Sequence, residues 1–519
     1  MNLDFHTPYI LGKRADSFRI CLLVLVGLAT AAGIIWGSAP LVWSIIIIAI
    51  LLVAALQYPL GALTALAWYL PFEPFILKWV ADDYYLYARY GSEVLIYILA
   101  LIVIYKVIFK REKLDLSPLG PKFLLLVGFS LLSVLVNFLP VTGAILGLRQ
   151  IFRFIILFFI TLNLAPTKRF LTTLIAGLAV ILSVQLALGL GQALVGEPLD
   201  VWLLPTERHT LGEYVLTSGQ VQFWEYGERV FGTLGRYDQL GIFISLVFLL
   251  LLSSRYEGVK LPWGSKITNS LLLASVPILV LTYSRSAWFG LLVGGLAIAL
   301  YFKRDRSVLF ATVASVLLLL GYLGISGLTV SRLQDSASVT VAERFFESFS
   351  VERWRGEYYG LGRVYWVFNT VTTVVPSAPL FGVGPGRYGG GAVAALRDTS
   401  RYDQLGLPFG VYGTEGYIDN NWFSLWGEIG TLGLGAYLWW YISLIGLLIY
   451  IYRQSNDPEL KAWSLGMVGV MLAMFVHASL ATFLEVRTIA PYIWILTGGV
   501  VGIATKEGLL KHYASNSRS

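Results

Sequence analysis

The stretch Leu41–Ala55, LVWSIIIIAILLVAA, has one polar side chain in fifteen positions. It does not alternate polar with apolar residues, as a strand of a membrane barrel would. It also lacks the 3.6-residue period of a helix half buried in a soluble core. In lipid, only helices and closed barrels satisfy every backbone N–H and C=O without water, so the run reads as a membrane helix.

The same texture recurs along all 519 residues, 57% of which are hydrophobic and 13% charged. Soluble domains carry about 25% charged residues, so a soluble fold is excluded. A bilayer core of ~30 Å takes about 20 apolar residues per helix. Spans are expected near 19–37, 41–57, 59–73, 94–110, 123–140, 147–164, 170–195, 238–254, 268–284, 287–302, 307–326, 422–452, 462–483 and 488–505. The third, bracketed by Pro59, Pro71 and Pro74, is short enough to be re-entrant, and 422–452 exceeds one span and starts outside the lipid. The expected fold class is all-α: a polytopic helical integral membrane protein of about fourteen spans, with a large, partly helical periplasmic loop.

Short cytoplasmic loops of membrane proteins are enriched in lysine and arginine. Five clusters fit that pattern: Lys106 to Lys122, Lys168 with Arg169, Arg255 to Lys266, Lys303 to Arg306, and Arg453 with Lys461. Placing them all inside leaves both termini cytoplasmic and accounts for the net charge of +7 without nucleic acid. The N-terminal run behind Lys13, Arg14 and Arg19 reads as an anchor helix, since it has no small-residue cleavage signal. The expected organisation is a cytoplasmic N-terminus at 1–18 and a bundle at 19–326 with an outer loop at 196–237. A periplasmic loop at 327–421, C-terminal spans at 422–505 and a cytoplasmic tail at 506–519 complete it.

Both outer loops contain arginines and no lysine. Arginine presents a planar fork that fits two phosphate or carboxylate oxygens at once. Cys21 is the only cysteine and the four histidines are scattered, which rules out a disulfide and gives no metal-site spacing. Four outer clusters stand out. They are Arg229-Val-Phe-Gly-Thr with Arg236 and Asp238; Thr282-Tyr-Ser-Arg285-Ser; Gly362-Arg363-Val-Tyr-Trp366 followed by Pro379–Gly386; and Asp419-Asn420 leading to Glu428-Ile-Gly430. An arginine between two apolar spans, as at Arg285, costs about 2.5–3.5 kcal/mol on insertion scales and needs a cavity or partner. The run Gly382–Gly391, GVGPGRYGGG, is a turn-rich loop whose backbone can approach a ligand, but it lacks the lysine and hydroxyl of a nucleotide loop. Val341–Trp354 has the spacing of a helix lying on the membrane surface. Asp419 and Asn420 also suit a helix cap.

In order and spacing these clusters resemble the O-antigen ligase and polymerase superfamily. The resemblance implies a cofactor-free, metal-independent, inverting glycosyltransferase in the bacterial inner membrane. It implies an undecaprenyl-pyrophosphate-linked glycan donor on the outer face, and membrane lipid, flippase and chain-length regulator proteins as partners. The candidate catalytic residues are Asp419, Arg285 and Arg363, with the arginines aimed at the leaving diphosphate and Asp419 as the candidate base. Arg229, Arg236, Arg149, Asn420, Tyr365 and Trp366 bind substrate and diphosphate, with Tyr358 and Tyr359 as further stacking candidates. Ligases of this family carry a histidine–asparagine pair where Asp419-Asn420 stands, which directs the expectation to a polymerase-like member. A ligase is the alternative within the class, and a small-anion transporter the alternative outside it.

Overall fold

A computed structural model describes residues 49–205, 227–259, 261–314, 351–411 and 416–511, with isolated positions 27, 210–211, 214–215, 317 and 513. The expected span at 19–37 apart from position 27, residues 41–48 of the span at 41–57, most of the span at 307–326 and most of the surface helix Val341–Trp354 lie outside the described residues. The architecture is helical. The one sheet among the described residues is a two-residue antiparallel pair with Thr210 opposite Val215 and Leu211 opposite Tyr214.

In chain order the helices used below are α1 (Pro59–Tyr69), α2 (Glu73–Lys78), α3 (Asp82–Phe109), α4 (Gly120–Val136), α5 (Val141–Phe152), α6 (Ile156–Asn163) and α7 (Lys168–Val195). There follow α8 (Glu197–Leu203), α9 (Tyr237–Tyr256), α10 (Gly264–Leu281) and α11 (Arg285–Leu296), the last running into a π-helical turn at Ala297–Phe302. The outer segment forms α12 (Val351–Tyr359), α13 (Arg363–Asn369), α14 (Gly391–Leu396) and α15 (Ser400–Leu405). The chain returns through α16 (Asn421–Gln454), α17 (Pro458–Ala478) and α18 (Ala490–Lys506).

The protein is a multi-pass membrane protein, and the described residues account for only part of the expected fourteen spans. Seven helices among the described residues are long and apolar enough to cross a bilayer, or eight if the bent pair α5–α6 counts as one span. The expected span 59–73 is an eleven-residue helix, α1, stopped before Pro71. Helices α9 and α17 form the centre, with 83% and 78% of their apolar windows buried, whereas α10 and α11 lie outside with 22% and 28%. A continuous apolar core runs through α7, α9, α16, α17 and α18.

Two spans are broken, and both breaks serve the same end of the bundle. Helices α5 and α6 meet at 60°. Helix α16 is interrupted at Gly430, which has φ 69° and ψ −174°. A break frees backbone groups that lipid cannot satisfy. At Gly430 the loop after Pro379 satisfies them. Thr431 N–H donates to Pro379 O at 3.0 Å and Leu432 N–H to Leu380 O at 3.2 Å. In return, Val383 and Gly384 N–H donate to the Gly427 and Glu428 carbonyls at 2.8 and 3.0 Å, and Gly386 N–H to Glu428 Oε1 at 2.9 Å. The glycine-rich loop therefore makes its close approach to the helix backbone, where the sequence suggested a ligand.

A Cβ on Gly430 would sit 2.4 Å from Gly382 N and Leu380 O, on top of the strain of a positive φ. Gly430→Ala should therefore destabilise the protein by about 2 kcal/mol or more. Gly435→Ala, whose Cβ meets nothing within 4 Å, should be neutral. Thermal melting of both variants in detergent measures the contrast.

Candidate active site

Several helices with lysines at one end give their other end to a common cavity, α3, α17 and α18 among them. The lysines lie at the C-terminal ends of α3 and α18 and at the N-terminal ends of α7 and α17. The opposite ends of the bundle surround a cavity of about 1810 Å³, lined from the α2–α3 segment, the α5–α6 break, the starts of α9 and α11, the outer segment and the α17–α18 connection. Nine arginines line it: Arg89, Arg149, Arg153, Arg229, Arg236, Arg285, Arg353, Arg363 and Arg487. Among the described residues five carboxylates accompany them, Glu73, Asp238, Glu357, Asp419 and Glu485, and no described lysine or histidine lines the cavity.

The Arg229-Val-Phe-Gly-Thr segment is held by two glutamines seven residues apart on α7. Gln192 Oε1 accepts from Phe231 N–H and Gly232 N–H at 3.0 and 2.8 Å. Gln185 Oε1 accepts from Thr233 N–H at 3.0 Å, and its Nε2 donates to Thr233 Oγ1 at 2.6 Å. Gly232 has φ 56°, and a Cβ there would lie 2.3 Å from Gln185 Oε1, so this position needs glycine. The pinned segment carries Arg229, stacked on the Tyr237 ring at 4.3 Å, and leads to Arg236. Arg236 grips Asp238 with Nε at 3.0 Å and Nη2 at 2.8 Å. Gln185 and Gln192 were missed by the sequence reading, though two amides on one face of a 28-residue apolar helix carry the signal.

Arg285 opens α11 beside Ser284, whose hydroxyl caps that helix. Tyr283 turns the chain with φ 52°, and Tyr283, Ser284, Ser286 and Phe289 line the cavity around Arg285. Opposite them, the α5–α6 break presents a second arginine group. Arg149 forks onto Glu93 of α3 through Nε and Nη2. Arg153 Nη1 lies 3.4 Å from the same carboxylate, and its Nη2 donates to Glu485 O at 2.9 Å. Arg487 meets Glu73 at 3.4 Å, and Ser92 Oγ donates to Glu73 Oε1 at 2.6 Å. Of this group the sequence nominated only Arg149.

Arg363 and Asp419, far apart in sequence, form an ion pair at 3.3 Å. The cap position of α16 falls to Asn420, which accepts from Phe423 N–H at 3.0 Å and donates to Ser479 O at 2.8 Å. Asp419 is left to face the cavity. Three expected binding residues do not line it. Asn420 is spent on the cap. Trp366 is 0% exposed in a small core with Tyr388 and Tyr402, its indole N–H bonded to Leu361 O at 3.1 Å. Tyr365 packs on that core and on Tyr358. Tyr85, Tyr90, Tyr237, Trp354 and Tyr417 are aromatics that do line the cavity. Aromatic residues near a membrane surface suit core, interface and ligand alike, so the sequence does not separate these from Tyr365 and Trp366.

Glu485, in the turn between α17 and α18, carries no signal in the sequence. Its carboxylate accepts from Gln150 Nε2 at 3.0 Å, Asn421 Nδ2 at 3.4 Å and Gly391 N–H at 3.2 Å. Burial raises it to about 7, against the lowering influence of the Gly391 N–H, the Arg153 charge and the two amides.

Residues 270–438 match the family described as O-antigen ligase, and the chain carries an O-antigen ligase-like domain over that stretch. The match covers 169 of 519 residues and includes Arg285, Arg363 and Asp419. Arg149, Arg229, Arg236 and Glu485 lie outside it. No curated protein matches the chain.

Glu93 is the buried counter-charge of both Arg149 and Arg153, with its side chain 5% exposed. Removing one partner of a buried pair costs about 3–5 kcal/mol because the other charge is stranded. Glu93→Gln should therefore lower stability by about 3 kcal/mol, read as a fall in melting temperature in detergent. Asp305, which is on the lysine side and pairs with Tyr256 at 2.8 Å, is the control, and Asp305→Asn should change stability little.

Proposed function

We propose that this protein is a glycosyltransferase that polymerises polyprenyl-diphosphate-linked oligosaccharide units, of O-antigen or exopolysaccharide type, on the outer face of the bacterial inner membrane. The observation that carries this reading is the arginine-lined cavity at the bundle end opposite the lysines. The O-antigen ligase-like match includes Arg285, Arg363 and Asp419 among the lining residues. Enzymes of that family transfer polyprenyl-linked glycans.

The geometry suits the chemistry. When the bond between the sugar and the diphosphate breaks, negative charge builds on the leaving oxygens. Donors already aimed at that charge lower the barrier with no reorganisation at the moment of reaction. Guanidinium forks do this for a diphosphate without a metal. On this reading Arg285 and Arg363 stabilise the leaving diphosphate, with Asp419 fixing the rotamer of Arg363. Arg229 and Arg236 bind the donor headgroup from the α9 side, and Arg149 closes the opposite wall. A volume of about 1810 Å³ exceeds the ordinary range for small-molecule sites, as two oligosaccharide substrates require. Attack opposite the leaving group inverts the anomeric centre.

The test is mass spectrometry of the lipid-linked glycan pool in the native host, with and without the gene. Loss of the gene should leave single repeat units on the lipid. Arg285→Ala, expressed at the normal level, should fail to restore chains, with activity down about 10²-fold or more. Accumulation of long lipid-linked chains would identify a ligase instead, and an unchanged pool would overturn the glycosyltransferase reading.

A further inference from the structure

Among the described residues five carboxylates line the cavity, and four of them are committed to arginines. Glu73 pairs with Arg487, Asp238 with Arg236, Glu357 with Arg353 and Asp419 with Arg363. Glu485 differs. Among the described residues its carboxyl makes no ion pair and is held by three neutral N–H donors, from α5, α14 and α16. A carboxylate offers about four acceptor positions. Amide donors cannot take a proton from it or accept one, so they fix its plane and leave about one lone pair for a proton. The side chain is partly exposed and lines the cavity.

We propose that Glu485, rather than Asp419, is the general base of glycosyl transfer, a role that rests on the glycosyltransferase reading above. The acceptor sugar hydroxyl forms its bond to the anomeric carbon as the bond from that carbon to the diphosphate oxygen breaks. The bonding electrons leave with the diphosphate, the hydroxyl proton passes to the Glu485 carboxylate, and solvent removes it before the next turn. Asp419 is then a positioning residue that acts through Arg363.

The electrostatics match the task. A base works best when its pKa lies near the operating pH, and burial brings this carboxyl to about 7. The groups facing it are Gln150 on α5, Arg153 at the α5–α6 break, Gly391 on α14, and Asn421 with the buried Glu428 and Tyr437 on α16. Arg153 is the cation among them, and its hydrogen bond goes to the Glu485 backbone oxygen, not to the carboxylate. A fixed guanidinium on the carboxylate would have made it a poor base.

The experiment is steady-state transfer by the purified full-length protein in nanodiscs, with a polyprenyl-diphosphate-linked repeat unit as donor and acceptor, from about pH 5 to about 9. Wild-type protein that transfers nothing defeats the glycosyltransferase reading itself. If it transfers, kcat/KM should fall about tenfold per pH unit below about 7. Glu485→Gln should lower kcat by about 10²–10⁴ with KM little changed, and should abolish that acidic limb. Asp419→Asn should raise KM and keep the limb. The proposal is overturned if Glu485→Gln retains the limb or more than a third of wild-type kcat, or if Asp419→Asn is the variant that loses the limb. Should Glu485→Gln not fold, Glu485→Asp decides. A lowered kcat with a displaced limb supports the proposal, and wild-type kcat with an unmoved limb overturns it.

Discussion

A guanidinium group cannot be left bare at the edge of a bilayer, and this fold gathers nine of them around one cavity. Much of the architecture at that end follows from the need to balance them. Glu93 sits on α3 with its side chain 5% exposed and holds two arginines from the α5–α6 break. Glu73 holds Arg487 across more than four hundred residues of sequence. Asp238 is in the first turn of α9, where a carboxylate is already favoured by the helix dipole, and it fixes Arg236 at the helix entrance. The result is a set of orientated cations, each with its rotamer limited by a neighbour. That is the condition for stabilising charge as it develops, without reorganisation.

The second requirement is backbone. Bringing loops and helix ends deep enough to build such a cavity breaks α5–α6 at 60° and α16 at Gly430. Broken helices survive at membrane depth where protein or a polar cavity satisfies the freed groups. Here the loop after Pro379 returns hydrogen bonds to both sides of the Gly430 break, and Gln185 and Gln192 do the same for the loop ahead of α9. Several motif glycines are therefore explained by close backbone packing. The motif arginines and Asp419 are left for chemistry.

How much of this was legible in the sequence follows from the range of each interaction. Membrane helices read directly, because an apolar run of that length has few other folds. The excess length of 422–452 was also legible, and the interruption at Gly430 is its cause. The absence of lysine from the outer loops picked out Arg229, Arg236 and Arg363, its place between two apolar spans picked out Arg285, and all four line the cavity. Arg149 was found too, but Arg153, Arg487 and Glu93 were not, since an ion pair between distant helices leaves no local pattern. Glu485 was invisible for the same reason: its donors come from three elements that meet only in the folded chain. Trp366 lies in a small core, and a buried core aromatic and a sugar platform have the same sequence signature. Of the alternative roles weighed for Asp419-Asn420, capping belongs to Asn420 and the cavity to Asp419.

The central claim is that the arginine cavity binds the diphosphate of a lipid-linked glycan. A structure of the protein with a polyprenyl-diphosphate-linked oligosaccharide bound in nanodiscs tests it most directly. The account predicts the two phosphates within hydrogen-bond reach of Arg285 and Arg363, with the first sugar facing Glu485 and the lipid tail leaving along the bundle. Diphosphate density outside that cavity, or a cavity filled by a small anion and closed to the lipid, would contradict it.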